Sequence, residues 1–406
     1  MRSRSRACLL ALPLAMLVAA RSGAAAGPPK RRPLDAKQRE AVLALLKAVD
    51  LAQDVDVLAD TGLAWENHVL KSGDQTAYVP FRLTMGGPAD GLKSAAMYVR
   101  AVSRRDGLRA SEEHSMLRDW LVHGGADVAP RTAETVYLSP GEMPVGVGTA
   151  SIRQSTAAAA AASTALTMQQ REFEKQQRAA DEAKKKQETK QRDPYLFPFE
   201  DYFFFDAKGT HGVERALALP AGDYDVFVGL IDRDHVKTSS PMILRRTVTI
   251  PDFWSDQLAL SSLILVKDVR HIKAAFAGQQ QAEHPYAFGQ TEVVPVAAAS
   301  FTPGEALTVV FQICNYGAPD SDLAADYTFY RVDGARRLFN HTNPQFFSDA
   351  DLPPPGTWET QAFATQSVPL QSFPPGQYEL EVSVRDRLTR ATAKGTVAFT
   401  VGSAVR

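Results

Sequence analysis

The sequence predicts a mainly β chain: two immunoglobulin-like β-sandwiches, the first interrupted by a partly helical insertion and preceded by an amphipathic helix. Three observations predict it: one strand motif occurs twice, the strands ahead of it recur, and the spacing between them is unequal. Residues 219–233 read LPAGDYDVFVGLIDR and residues 373–387 read FPPGQYELEVSVRDR. In the second copy Tyr378, Leu380, Val382 and Val384 alternate with Glu379, Glu381, Ser383 and Arg385. That is the period of a strand with one buried face. In the first copy Tyr224, Val226, Val228 and Leu230 take the inward places. Pro-x-Gly turns the chain into each strand, and Asp232 or Asp386 begins the turn out. A tyrosine at the entry to the penultimate strand occupies the place of a tyrosine corner, so Tyr224 and Tyr378 are expected to be structural.

Upstream, AYVPFRLTM (77–85) matches LTVVFQICN (307–315), with Phe81 against Phe311 as core residues. Tyr98-Val99-Arg100 is likewise matched to Phe329-Tyr330-Arg331. Phe311 and Tyr378 stand 67 residues apart, which suits a sandwich of about 100 residues. Phe81 and Tyr224 stand 143 apart, so the first copy carries 76 more residues, placed between strands ending near Val102 and beginning near Leu196. The expected units are a first sandwich over 60–270, with its insertion at about 104–194, and a second over 285–402.

Ahead of them, Val42, Leu45, Leu46 and Val49 fall at helical spacing within an N-terminal helix over 34–59. Earlier still, Arg2, Arg4 and Arg6 precede the apolar run Ala7–Ala20, and Ala24-Ala25-Ala26 offers a cleavage context. A basic n-region, a short h-region and small residues are the three parts of a secretory signal, here 1–26. The run is short for a membrane span, and no later segment approaches spanning length. The expected protein is therefore exported, periplasmic or extracellular, and soluble, with no membrane span once the signal is removed. Signal removal takes Cys8 and the n-region arginines, leaving a mildly acidic chain with one cysteine, Cys314. That count excludes a disulfide scaffold, and the charge balance excludes a basic nucleic-acid binder.

Within the insertion, residues 109–123 read as a helix with Ser111 as N-cap, and Glu112, Glu113 and His114 sit near its positive end. Residues 140–162 are rich in Gly, Ser, Thr and Ala, and 168–193 are dense in charge and glutamine. This stretch is a solvated helical linker or a partner-docking arm. No HExxH, G-x-S-x-G or G-x-x-x-x-G-K-[ST] sequence occurs, and no catalytic residue or cofactor is expected. The densest polar cluster, Asp232, Asp234 and His235, reads as a strand turn, with a metal site as the weaker alternative. In YLFPFEDYFFFD (195–206) the aromatics Tyr195, Phe197, Phe199, Phe203 and Phe205 share one parity, as on a buried strand face. Exposed Phe199 or Tyr202 would instead serve as a carbohydrate platform. Asn340-His341-Thr342 fits a glycosylation sequon.

AYVPF, LPAGDYDVFVGLIDR and FPPGQYELEVSVRDR in a chain with an export signal resemble uncharacterised exported bacterial proteins. In those, immunoglobulin-like modules accompany von Willebrand A-related or GWxTD-type regions. This chain has neither an Asp-x-Ser-x-Ser motif nor a GWxTD sequence, so the resemblance carries no ligand residue over. The expected function is a non-enzymatic exported binding or scaffold protein whose partner is another extracytoplasmic protein or a cell-surface component. The alternatives are a carbohydrate-binding accessory module of an extracellular hydrolase system and a calcium-dependent adhesion module.

Overall fold

The computed structural model describes residues 34–54, 62–72, 75–87, 89, 92–104, 199–208, 211–255, 257–316, 322–347, 352 and 361–403. The expected signal, residues 105–198 with the helix at 109–123 and the charged arm, and the aromatics Tyr195 and Phe197 lie outside the described residues.

Helix α1 (Ala36–Asp54) begins with a reciprocal cap: Asp35 Oδ1 accepts from Gln38 N at 2.7 Å, and Asp35 N donates to Gln38 Oε1 at 3.1 Å. Two sheets follow. Sheet A contains β1 (Leu63–Asn67), β2 (Leu70–Lys71), β3 (Thr76–Met85) and β6 (Gly212–Pro220). β1 and β2 share one edge of β3, and β6 takes the other. Sheet B runs β5–β4–β7–β8, from β4 (Ser94–Ser103), β5 (Phe199–Asp206), β7 (Gly222–Asp232) and β8 (Met242–Ile250). Phe81 and Leu83 of sheet A meet Val99, Val226 and Val228 of sheet B in one core.

The second sandwich repeats this plan. Sheet C holds β9 (Ala259–Leu260) and β10 (Ile264–His271) on one edge of β14 (Ala306–Cys314), and β18 (Gln361–Pro369) on the other. Short strands β11 (Ala287–Phe288) and β12 (Thr291–Pro295) extend it beyond β10, and helix α2 (Gln279–Glu283) leads into them. Sheet D runs through β13 (Ser300–Phe301), β20 (Thr392–Val401), β19 (Gly376–Asp386) and β15 (Leu323–Asp333). Its far edge is shared by β16 (Ala335–His341) and β17 (Gln345–Phe347). The order β5–β4–β7–β8 thus recurs as β16–β15–β19–β20, and the split edge β1/β2 recurs as β9/β10. Tyr224 donates from its hydroxyl to Pro220 O at 3.1 Å, and Tyr378 to Pro374 O at 2.6 Å.

Two expectations change. Residues 259–270, assigned above to the first sandwich, belong to the second, because Ile264 pairs with Val310 and Leu260 with Ile313. The match of Tyr98-Val99-Arg100 with Phe329-Tyr330-Arg331 is out of register by three residues. Ser103 pairs with Tyr224 as Arg331 pairs with Tyr378, so Ala101, not Tyr98, stands where Phe329 does. An odd offset moves every side chain to the other face. Phe329 lies in the second core, whereas Tyr98 points out of the first sandwich toward α1.

Helix α1 is the reason. Ala41, Val42, Leu45, Leu46 and Val49 cover the outer face of sheet B at Tyr98, Phe227, Ile231 and Ile243. All ten residues of β4 are consequently buried, and hydrophobic alternation there carries no register. The helix sits close: a Cβ on Gly229 would meet Leu45 Cδ2 at 3.1 Å and Ile243 Cδ1 at 3.2 Å. Gly229→Val is expected to lower unfolding stability by about 1–3 kcal/mol through overpacking, and Leu45→Ala in that background to recover part of the loss in denaturant titrations.

Candidate functional site

Two polar clusters lie where apolar contact would suffice. The first joins α1 to the roots of the insertion. β4 delivers Tyr98 and Arg100, β5 delivers Glu200 as its second residue, and α1 delivers Asp50 near its end. Arg100 is 1% exposed; it donates from NH1 to Asp50 Oδ1 at 2.6 Å and from Nε to the Tyr98 hydroxyl at 2.7 Å. Tyr98 in turn donates to Glu200 Oε2, which stands 3.6 Å from Arg100 Nε. Burial raises the Tyr98 phenol well above its ordinary value; Glu200 adds to this and Arg100 opposes it. Burial would lower Arg100, but Tyr98, Glu200 and Asp50 outweigh it and hold the guanidinium charged. Neither group exchanges a proton near neutral pH, so the cluster works as a staple between three chain segments.

The second cluster lies between the sandwiches. Leu70, Tyr78 and Ala216 on the outer face of sheet A pack against Ile264, Val266, Val293 and Val310 on the outer face of sheet C. Hydrogen bonds stitch the margin. Val69 N donates to Ser262 Oγ at 2.8 Å, and Ser262 N donates back to Val69 O at 2.9 Å. The Gln312 amide mimics a strand neighbour for Lys71, accepting from its N at 2.7 Å and donating to its O at 3.3 Å. Lys71 Nζ donates to Asn315 Oδ1 at 2.6 Å, and Asn315 Nδ2 donates to Phe253 O and Gln257 O at 2.8 and 2.9 Å.

Across the same seam, Glu66, Arg82 and Glu214 form one cross-strand row on β1, β3 and β6. Arg82 Nε donates to Glu214 Oε1 at 2.8 Å and its NH1 reaches Val296 O of the second sandwich at 3.0 Å. The buried His68 ring places Nδ1 2.9 Å from the Tyr286 hydroxyl. Burial, with Arg82 adding to it, lowers His68 to about 4. Burial also raises the Glu66 carboxyl, with Glu214 working in the same direction and Arg82 against it. Cys314, at the end of β14, is fully buried against the first core, and burial pushes its thiol up to about 12, opposed by Lys71.

The residues singled out in the sequence fall elsewhere. Asp232 Oδ1 accepts from Asp234 N at 2.9 Å and Oδ2 lies 3.1 Å from His235 Nδ1. Asp386 serves the duplicate turn in the same manner, accepting from Leu388 N at 2.9 Å and from Thr389 Oγ1 at 2.7 Å. Among the described residues no three of His, Cys, Asp and Glu come together as metal ligands. Phe199 is 5% and Tyr202 6% exposed, Phe199 in the first core and Tyr202 under α1, so neither offers a ring to a sugar. Phe81 and Phe311 each lie fully buried in their sandwich's core. The sequence did carry a sign of the staple: Arg100 is a lone charge inside the apolar run SAAMYVRAV.

No protein-family model matches the chain, and no curated protein does. Among solved structures, a Bacteroides uniformis β-glucuronidase aligns with 80% of this chain and 26% of its own, at 10% identity and a TM-score of 0.22. A red sea bream transglutaminase aligns with 87% of this chain and 33% of its own, at 9% identity and a TM-score of 0.17. The chain spans about a quarter to a third of the length of these proteins, and at such scores neither activity passes to it.

Removing the cation of a buried charge cluster leaves its carboxylates short of a counter-charge. Arg100→Met is expected to lower unfolding stability by about 3–5 kcal/mol, and adding Glu200→Gln to restore part of it, both read by chemical denaturation.

Proposed function

We propose that the protein is an exported, non-enzymatic scaffold that presents the segment between β4 and β5 to another extracytoplasmic protein or a cell-surface component. One comparison within the chain carries this reading. In the second sandwich a single residue, Gly334 with φ 74°, closes the hairpin between β15 and β16. In the first sandwich the corresponding connection runs from residue 104 to 198, and the Tyr98–Arg100–Glu200–Asp50 staple holds its two roots. A fold that closes with one residue has no structural need of so long a connection. The signal-like N-terminus supports export, and among the described residues no helix is long and apolar enough to cross a membrane.

The carbohydrate and calcium alternatives have no support of this kind among the described residues: the Phe199 and Tyr202 rings are covered, and Asp232 is engaged in a turn that Asp386 repeats.

Replacing 104–198 by a short Asn-Gly turn is expected to leave both sandwiches folded and to add up to about 3 kcal/mol of stability through a smaller loop-closure entropy. The same variant is expected to lose the partner that the full chain captures by cross-linking in the extracytoplasmic fraction. Unchanged capture overturns the proposal.

A further inference from the structure

The seam buries a histidine of one sandwich against a tyrosine of the other. His68 stands at the break between β1 and β2, where the shared edge strand of sheet A steps past β3. It is 8% exposed, its N donates to Pro80 O at 2.9 Å, and its ring meets the Tyr286 ring edge-on at 5.6 Å. Tyr286 comes from the β11–β12 excursion of the second sandwich, so this contact spans the two bodies. Arg82 from β3 is the charge that acts on the ring and Tyr286 is its hydrogen-bond partner; Glu66 from β1 and Glu214 from β6 flank Arg82 and act on Tyr286, with Lys71 beyond on β2.

We propose that this seam is an acid-released joint: charging His68 lets the two sandwiches part while each stays folded. With a neutral imidazole the row of Glu66, Arg82 and Glu214 carries one net negative charge, and Tyr286 complements Nδ1 in either tautomer. Acid neutralises Glu66, whose carboxyl is already raised by burial, and then adds a cation at His68. The new cation then sits in its own buried pocket with Arg82, a like charge, as the charged group that acts on it. Parting the sandwiches hydrates His68, which lies outside both core clusters, at the cost of opening the seam cluster and withdrawing Cys314 from the first core.

The sign follows from linkage. A histidine lowered to about 4 in the closed seam and returning to its ordinary value near 6.5 when open takes up protons on opening. Taken alone, His68 therefore favours the closed form above pH 6.5 and withdraws up to roughly a hundredfold in the opening constant by pH 4, while Glu66, raised in the closed seam, gives up its proton on opening and offsets part of this.

Cys314 supplies the readout, since its thiol is buried at the seam end of β14 beside Lys71. In the full chain carrying Cys8→Ser, labelling by dithiodipyridine, which reacts in acid, is measured against a free thiol from pH 7.5 to 4. The relative rate is expected to rise more than tenfold and up to about a hundredfold, with far-UV circular dichroism unchanged, and His68→Gln is expected to reduce that rise to less than a few fold. An equal rise in His68→Gln, no rise in the parent, or loss of the dichroism signal together with labelling each overturns the proposal. Nuclear magnetic resonance titration of the His68 ring in the unmutated chain needs no variant; a midpoint above pH 6 overturns it as well.

Discussion

Sheet A is covered on both faces along β2, β6 and the first half of β3, and the arrangement of the rest of the molecule depends on that. Along β3, Ala77, Val79, Phe81, Leu83 and Met85 enter the first core, while Tyr78 and Arg82 between them meet the second sandwich. Sheet C answers in kind: Leu307, Val309, Phe311 and Ile313 of β14 face their own core, and Val310 faces the seam. The layers consequently stack in the order α1, sheet B, sheet A, sheet C, sheet D. Polar groups caught between A and C must find partners there, because water cannot serve them. Ser262, Gln312 and Asn315 do so along one margin and Arg82 along the other.

The same double burial decides what the sequence shows. β19 has one core face and one solvated face, and its alternation can be read directly from YELEVSVR. Tyr224 and Tyr378 are equally legible, because Pro-x-Gly fixes the phase of the strand that follows. β4 is different: with α1 on one side and the core on the other, period 2 vanishes and the pairing with β15 slips by three. The edge strands β2 and β9, two residues each, are too short to carry a period at all. His68 is illegible for another reason. Its chemistry comes from Tyr286, 218 residues away, and from a packing of two bodies that no local pattern encodes.

The two sandwiches share a topology but treat their outer faces oppositely. On sheet D, Arg336 reaches Glu379 at 2.7 Å and Glu381 at 2.8 Å, Lys394 reaches Glu381 at 3.2 Å, and the Arg336 guanidinium lies 3.4 Å over the Tyr330 ring. This is a solvated ladder, and such exposed pairs add little stability. On sheet B the equivalent surface is apolar and covered by α1. A sandwich core tolerates either face, so the duplicated fold leaves each copy free to differ on the outside. The first copy uses that freedom to seat a helix and hold a long connection; the second uses its extra strands β11 and β12 to meet the first.

An apolar helix on an apolar sheet is nevertheless poorly specified. Leu45, Leu46 and Val49 would find Phe227, Ile231 or Ile243 in more than one axial position, since apolar contact is non-directional. The Asp50–Arg100 bond removes that freedom. Sliding α1 by one turn moves Asp50 by about 5.4 Å, which leaves a carboxylate and a guanidinium buried apart. An uncompensated buried charge costs several kcal/mol, more than a repacked Leu contact regains. Arg100 also contacts Tyr98 and, through it, Glu200, so the helix is tied to a β4–β5 pair whose spacing the backbone ladder already sets. One buried guanidinium therefore fixes where the helix lies and ties it to both strands that border the 104–198 connection.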